Sequence, residues 1–198
     1  MTGADKVVLH ICCAPCLAGP LKLLRDEGLE VTGFFYNPNI HPLIEFRRRL
    51  KALKVFRESD DAPMVFCEEY GLEEFLREVY DKASSPPERC RNCYKLRLTA
   101  TAATAKKLEA RAFTTTLLAS RHQDHEMIRN TGAEIGESQG IEFLYRDMRP
   151  TCGLSDDTAR RRHLYRQSYC GCVFSEFERY RETTKHIYGA ARGDDNEN

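Results

Sequence analysis

The sequence predicts an α/β fold with a mostly parallel sheet covered on both faces by helices. Short apolar runs at residues 7–11, 31–36 and 112–117 read as buried strands, and segments of helical period lie between them. Neither an internal repeat nor a Pro, Gly or Ser-rich linker divides the chain. A single domain over residues 1–188 is therefore expected, with a helical C-terminal part and a flexible polar, acidic tail at 189–198.

The first strand, 7–11, stops at a pair of cysteines. Leu17, Leu21 and Leu24 then fall at helical spacing over 17–27, and Gly28 supplies the stop. After the strand at 31–36, Asn37-Pro38-Asn39 is turn chemistry. Pro42 opens a helix to about 57, followed by a short strand at 64–67 and a helix at 72–80. Ser84-Ser85-Pro86-Pro87 reads as a loop before a long helix at 92–108. A β-rich run at 112–117, a helix at 126–139 closed by Gly140, and a strand at 141–145 follow. Helical segments at 155–166 and 176–188 flank the last cysteine pair. In such sheets ligands bind beyond the carboxyl ends of the strands, where Cys12, Cys13, Asn37 and the segment after Leu117 are expected to gather.

At 198 residues, with 41% apolar and 30% charged residues, the chain can bury a core without disulfides. No apolar run reaches the roughly 20 residues of a membrane helix, and residues 1–6 lead into no signal-peptide pattern, so a cytoplasmic protein without membrane association is expected. Thirty basic and thirty acidic residues cancel, so any nucleic-acid site must come from a local basic patch.

Seven of the nine cysteines fall into Cys12-Cys13-x-x-Cys16, Cys90-x-x-Cys93 and Cys170-x-Cys172. In a reducing compartment such clusters point to metal or catalysis before structural disulfides. A Cys-x-x-Cys pair reaches one metal across a single turn, and the start of a helix favours thiolates at Cys90 and Cys93. Gly171 permits the sharp turn that lets Cys170 and Cys172 face one site. Adjacent Cys12 and Cys13 point apart and suit two neighbouring metal atoms, or one metal and a substrate. A structural zinc site, thiol exchange at Cys13-Ala14-Pro15-Cys16 and an iron-sulfur centre all remain open, because spacing does not choose between zinc and iron. Cys67, in an apolar strand, reads as a buried small side chain, and Cys152 fits either role.

Five ordered segments carry a resemblance: His10-Ile11-Cys12-Cys13-Ala14-Pro15-Cys16, the run from Phe34 to Pro42, Glu88-Arg89-Cys90-Arg91-Asn92-Cys93-Tyr94, Thr114-Thr115-Thr116-Leu117-Leu118, and the run from Tyr165 to Cys172. From Val7 to Tyr180 the sequence resembles the cobalamin-independent epoxyqueuosine reductases of the QueH type. That resemblance implies a HUP-like, Rossmann-like three-layer fold. It also implies reduction of the epoxide of epoxyqueuosine, at the tRNA wobble position, to the alkene of queuosine, the last step of queuosine biosynthesis. The implied cofactors are a 4Fe-4S cluster and an adjacent mononuclear iron, with ligands among Cys12, Cys13, Cys16, Cys90, Cys93, Cys170 and Cys172. Some relatives carry a carboxylate at the position of Cys16, where a thiolate would also serve.

Two electrons must come from a metal cofactor fed by an external donor, of ferredoxin or flavodoxin type, because no side chain supplies them. Proton delivery has candidates in Tyr36, His41, Tyr145, Asp147 and Tyr169. Asp147, between Arg146 and Arg149, is also a candidate to ligate iron or to orient a protonated group. For tRNA, Arg47-Arg48-Arg49 with Lys51 and Lys54, and Arg160-Arg161-Arg162 with His163, supply positive charge. Consecutive arginines fan around a helix, so one or two of each run are expected to face RNA. Two other readings are a zinc-stabilised tRNA-binding module and an ATP-dependent tRNA-modifying enzyme. The loop after the first strand lacks the Gly-rich phosphate cradle that the latter needs.

Overall fold

The structure, a computed structural model, describes residues 5–183. Its sheet has five strands, β1 (Lys6–His10), β2 (Glu30–Phe35), β3 (Met64–Phe66), β4 (Ala112–Thr115) and β5 (Glu142–Phe143), in the order β3-β2-β1-β4-β5. All four pairings are parallel, so the sheet is parallel throughout. β1 is central, and Val7, Val8, Leu9 and His10 are buried, as a strand covered on both faces requires. His10 lies opposite Phe34 on one side and Thr115 on the other, so the three inner strands end nearly level.

The helices are α1 (Ala18–Asp26), α2 (Leu43–Glu58), α3 (Leu72–Val79), α4 (Pro86–Lys107), α5 (His125–Gln139), α6 (Cys152–Arg161) and α7 (Val173–Tyr180). The chain steps from β1 to β2 through α1 and, in the opposite direction, from β4 to β5 through α5. Crossovers of one hand then put these helices on opposite faces. In keeping with this, α1 packs with α6, and α4 packs with α3 and α5. The strand order reverses between β1 and β4, which opens a crevice at their carboxyl ends.

Several boundaries depart from the sequence expectation. α4 starts at Pro86, not near 92, because a proline is pre-set for the first helical turn; Cys90 and Cys93 therefore lie inside the helix. β4 ends at Thr115, where the Thr115 hydroxyl accepts from Leu117 N and turns Thr116–Ala119 into a 3-10 helix. β5 keeps two of five expected residues. α6 begins at Cys152, fed by the Pro-containing turn Arg149–Thr151, and stops before His163, whose φ of 49° is left-handed. α7 begins at Val173, capped by Cys172, whose sulfur accepts from Ser175 N. Positions 184–188 of the expected last helix and the expected tail at 189–198 lie outside the described residues. Cys67 sits one residue past β3 and is half-buried, not inside the strand.

α5 rests on β5 through Gly132, where an added Cβ would lie 2.4 Å from the Phe143 ring. Ala is favoured over Gly inside a helix by about 0.8–1.0 kcal/mol, but overpacking against a ring held near its own backbone costs roughly 1–3 kcal/mol. Gly132→Ala is therefore expected to lower the urea midpoint despite the better helix former; an unchanged or raised midpoint would show that Phe143 moves aside freely.

Candidate metal centre

The first thiol group forms because β1 ends into the 3-10 turn Ala14–Cys16, which brings Cys12, Cys13 and Cys16 to one side of the crevice. Their sulfurs all lie within 4.8 Å of one another. Cys13 Sγ is 2.9 Å from Cys16 Sγ and 3.6 Å from Cys12 Sγ. Thr116, just past β4, accepts from Cys12 N at 3.0 Å and donates to Cys12 Sγ at 3.3 Å, so both strands flanking the crevice hold this group. Gln167 Nε2 donates to Cys13 Sγ at 2.8 Å. Below the group, buried His10 bonds Thr115 Oγ1 at 2.9 Å and the Tyr36 carbonyl at 3.1 Å, while Asn37 Nδ2 donates to Ile11 O.

The second group joins α4 to the loop before α7. Cys90 and Cys93, three apart, share a helix face. Cys93 and Cys172 pack in one apolar cluster with Phe75 and Val79. Cys170 Sγ lies 3.9 Å from Cys172 Sγ and 3.0 Å from Ser175 Oγ, and its charge acts on both Cys90 and Cys93. Two buried arginines fix this loop. Arg89 Nη2 donates to Glu178 at 2.6 Å, tying the start of α4 to α7. Arg49 Nε donates to Glu45 at 2.6 Å, and its other nitrogens donate to the carbonyls of Cys170 at 2.9 Å and Tyr169 at 3.0 Å. Gly171, at φ 124°, has Ile40 and Arg49 crowded against it, and its carbonyl accepts from His41 N.

In each group one thiol is lowered and its neighbours are raised. Hydrogen bonds from Cys13 and Cys16, then from Thr116, hold Cys12 well below the usual thiol range against the effect of burial. Burial and the Cys12 sulfur push Cys13 up, and the contacts with Cys12 and Cys13 push Cys16 up. Hydrogen bonding with Cys172 and then with Ser175 brings Cys170 down to about 5, while Cys172 is raised by its contact with Cys170. Burial lifts Cys90, and lifts Cys93 to about 11. Soft thiolates at this density suit zinc, copper(I) or iron-sulfur chemistry, so the first group can hold a metal.

The family model for epoxyqueuosine reductase QueH matches residues 7–178. The chain belongs to the QueH family. The epoxyqueuosine reductase QueH of Dehalococcoides mccartyi is 34% identical over 177 residues, which cover 89% of this chain and 96% of that protein. The QueH of Thermotoga maritima is 35% identical over 180 residues, covering 87% and 91%. Among solved structures, the zinc inhibited form of teicoplanin deacetylase Orf2 aligns with a TM-score of 0.39 and 8% identity over 77% of this chain and 82% of that one, too slight a likeness to argue from.

In this QueH chain the other sequence candidates are placed as follows. Tyr36, at the end of β2, donates from its hydroxyl to Glu74 at 2.6 Å; burial, then Glu74, raises its pKa. His41 is buried against Phe75 and Tyr70, and its Nε2 has no hydrogen-bond partner among the described residues. Tyr169 donates to the His41 carbonyl at 2.5 Å. Tyr145 is half-buried with the Arg129 guanidinium 5.9 Å from its ring. Asp147 is outside both thiol groups: Arg149 grips its carboxylate at 2.6 and 2.8 Å and brings its pKa to about 2. Arg49 is committed to Glu45 and two carbonyls, so it is not a group facing RNA; Arg47 and Arg48 are exposed. Sequence reasoning missed Thr116, Gln167, Arg49 and Arg97 as parts of the site, although Thr116 and Gln167 lie inside the motif segments.

Burial lowers His41 to about 4, and His10 is lowered to about 4 by burial and then by Arg97. A histidine held neutral contributes stability that is present above its unfolded pKa of about 6.5 and is lost as pH falls toward 4. Urea midpoints are accordingly expected to fall between pH 7 and pH 5, and less steeply in His41→Phe than in the parent. Equal slopes would contradict a neutral buried His41.

Proposed function

We propose that this chain is an epoxyqueuosine reductase, acting on epoxyqueuosine in a tRNA anticodon. The observation that carries this is the Cys12, Cys13 and Cys16 thiol group at the strand-order reversal of a QueH-family fold, with Gln167 of the loop that leads to Cys170 bonded to it. Cys12, Cys13 and Cys16 on one side, and Cys90, Cys93, Cys170 and Cys172 on the other, would hold a 4Fe-4S cluster and an adjacent iron. Bound there, these centres supply single electrons and a Lewis acid for the epoxide oxygen. The balance is two electrons and two protons in, both carbon–oxygen bonds of the epoxide broken, and an alkene and water out. The electrons come from an external donor of ferredoxin or flavodoxin type.

The protein's own part is to position the base and deliver protons. Tyr36 is the candidate acid: its hydroxyl carries a proton at neutral pH and donates to Glu74, a surface carboxylate within hydrogen-bond reach that would return a proton after transfer. His41, neutral at pH 7, and the ionised, arginine-bound Asp147 are poorer acids, and they serve here as orienting groups. Tyr145, half-buried after β5, is a further candidate to relay protons. The wobble base must leave its stack to reach the crevice, while exposed Arg47, Arg48 and Lys51 hold phosphates. A tRNA substrate fits a cytoplasmic site of action, and no helix among the described residues is long and apolar enough to cross a membrane.

Protein purified without oxygen is expected to be brown, to contain iron and acid-labile sulfide, and to convert epoxyqueuosine tRNA when supplied with a chemical reductant. Cys90→Ser and Cys170→Ser should each lose colour and at least 100-fold of turnover, roughly the loss that follows disruption of a metal site's ligand environment. Full activity in a colourless, zinc-loaded protein would overturn the assignment.

A further inference from the structure

Three arginines are buried among the described residues, and their partners differ in kind. Arg49 has Glu45 and Arg89 has Glu178. Arg97, 4% exposed, has no carboxylate partner among the described residues. It stands one turn after Cys93 on α4, donates from Nε to the Cys93 carbonyl at 3.2 Å, and has its guanidinium carbon 5.8 Å from the centre of the Tyr94 ring. An arginine does not shed its charge in a protein, and a buried, unpaired cation is strongly unfavourable. His10, on which the charge of Arg97 acts, is hydrogen-bonded to Thr115 and the Tyr36 carbonyl and cannot supply an anion. Besides the Tyr94 phenol, the groups that act on the charge of Arg97 are sulfurs: Cys93 and Cys170 of one group and Cys12 of the other.

We propose that Arg97 is a positioning residue, a fixed counter-cation placed between the two thiol groups, which balances the negative charge of the loaded centre and sets how readily that centre accepts an electron. The inference rests on the reading of the thiol groups as an iron site. It follows from the burial of Arg97 and its bond to the Cys93 carbonyl one turn earlier, and the charges of sulfurs from three separate segments act on it. A positive charge near a metal centre favours its reduced, more negative state. Removing the charge must therefore make reduction harder, whatever substrate is present.

The test uses the full chain, reconstituted without oxygen with ferrous iron and sulfide, as the parent, Arg97→Lys and Arg97→Met. In a potentiometric titration followed by electron paramagnetic resonance, R97M is expected to show at least a tenfold lower reduced-to-oxidised ratio at the parent's midpoint, a shift of about 59 mV for a one-electron couple. R97K should stay near the parent. Melting temperatures of metal-free and loaded protein separate this from a packing role: R97M should lose stability mainly in the loaded form. An unchanged midpoint in iron-loaded R97M overturns the proposal, as does a metal-free R97M that fails to fold or is destabilised as much as the loaded form. Those results leave the reductase reading standing if the parent turns over; a parent that takes up no iron removes both.

Discussion

Arg49 is the constraint on which the site depends. Its guanidinium is nearly sealed from water, so its nitrogens must find partners within the protein, and each of the three does: Nε on Glu45 and the other two on the carbonyls of Cys170 and Tyr169. Glu45 spends its second oxygen on the Tyr165 hydroxyl. Removing one partner of such a pair strands a buried charge and costs about 3–5 kcal/mol. The loop from Tyr165 to Gly171 is thus fixed to α2. That carries Cys170 and Cys172 back across the molecule to Cys90 and Cys93, and places Gln167 on the first thiol group.

The sheet does the corresponding work for the other sulfurs. Parallel pairing brings β1, β2 and β4 to a common edge, and the reversal of strand order leaves that edge open between β1 and β4. Cys12 and Thr116 meet across the opening because each follows directly on its strand. The two thiol groups therefore come from different physics. One is set by backbone register, and the other by side-chain charges buried between a helix and a loop.

This division explains which features are legible in the sequence. Buried strands such as 7–11 and 112–117 announce themselves as apolar runs, and Gly140 marks the end of α5 by local chemistry alone. The cysteine spacing likewise points to a metal without any knowledge of tertiary contacts. Arg49 and Arg97 carry no such sign. A run of arginines reads as a solvated face, and only the tertiary placement of Glu45 on the same buried stripe turns one of them inward. Pro86 is legible in principle, since a proline opens a helix as readily as it ends one, but the doubled Ser and Pro favour a loop. The short β5 reflects its position at the sheet's edge, where pairing on one side alone leaves little to hold three further residues.

The two thiol groups are drawn from both ends of the described chain, with Cys12 near the start and Cys172 near the finish. A nascent chain emerging from the ribosome therefore exposes its first thiols long before the last pair is synthesised. Until then Cys12, Cys13 and Cys16 have neither Gln167 nor the Arg49-bound loop beside them. A metal centre that drew on both groups would be completed only after the last pair has emerged, and through that interval the earliest thiols would stand open to oxidation and adventitious metal.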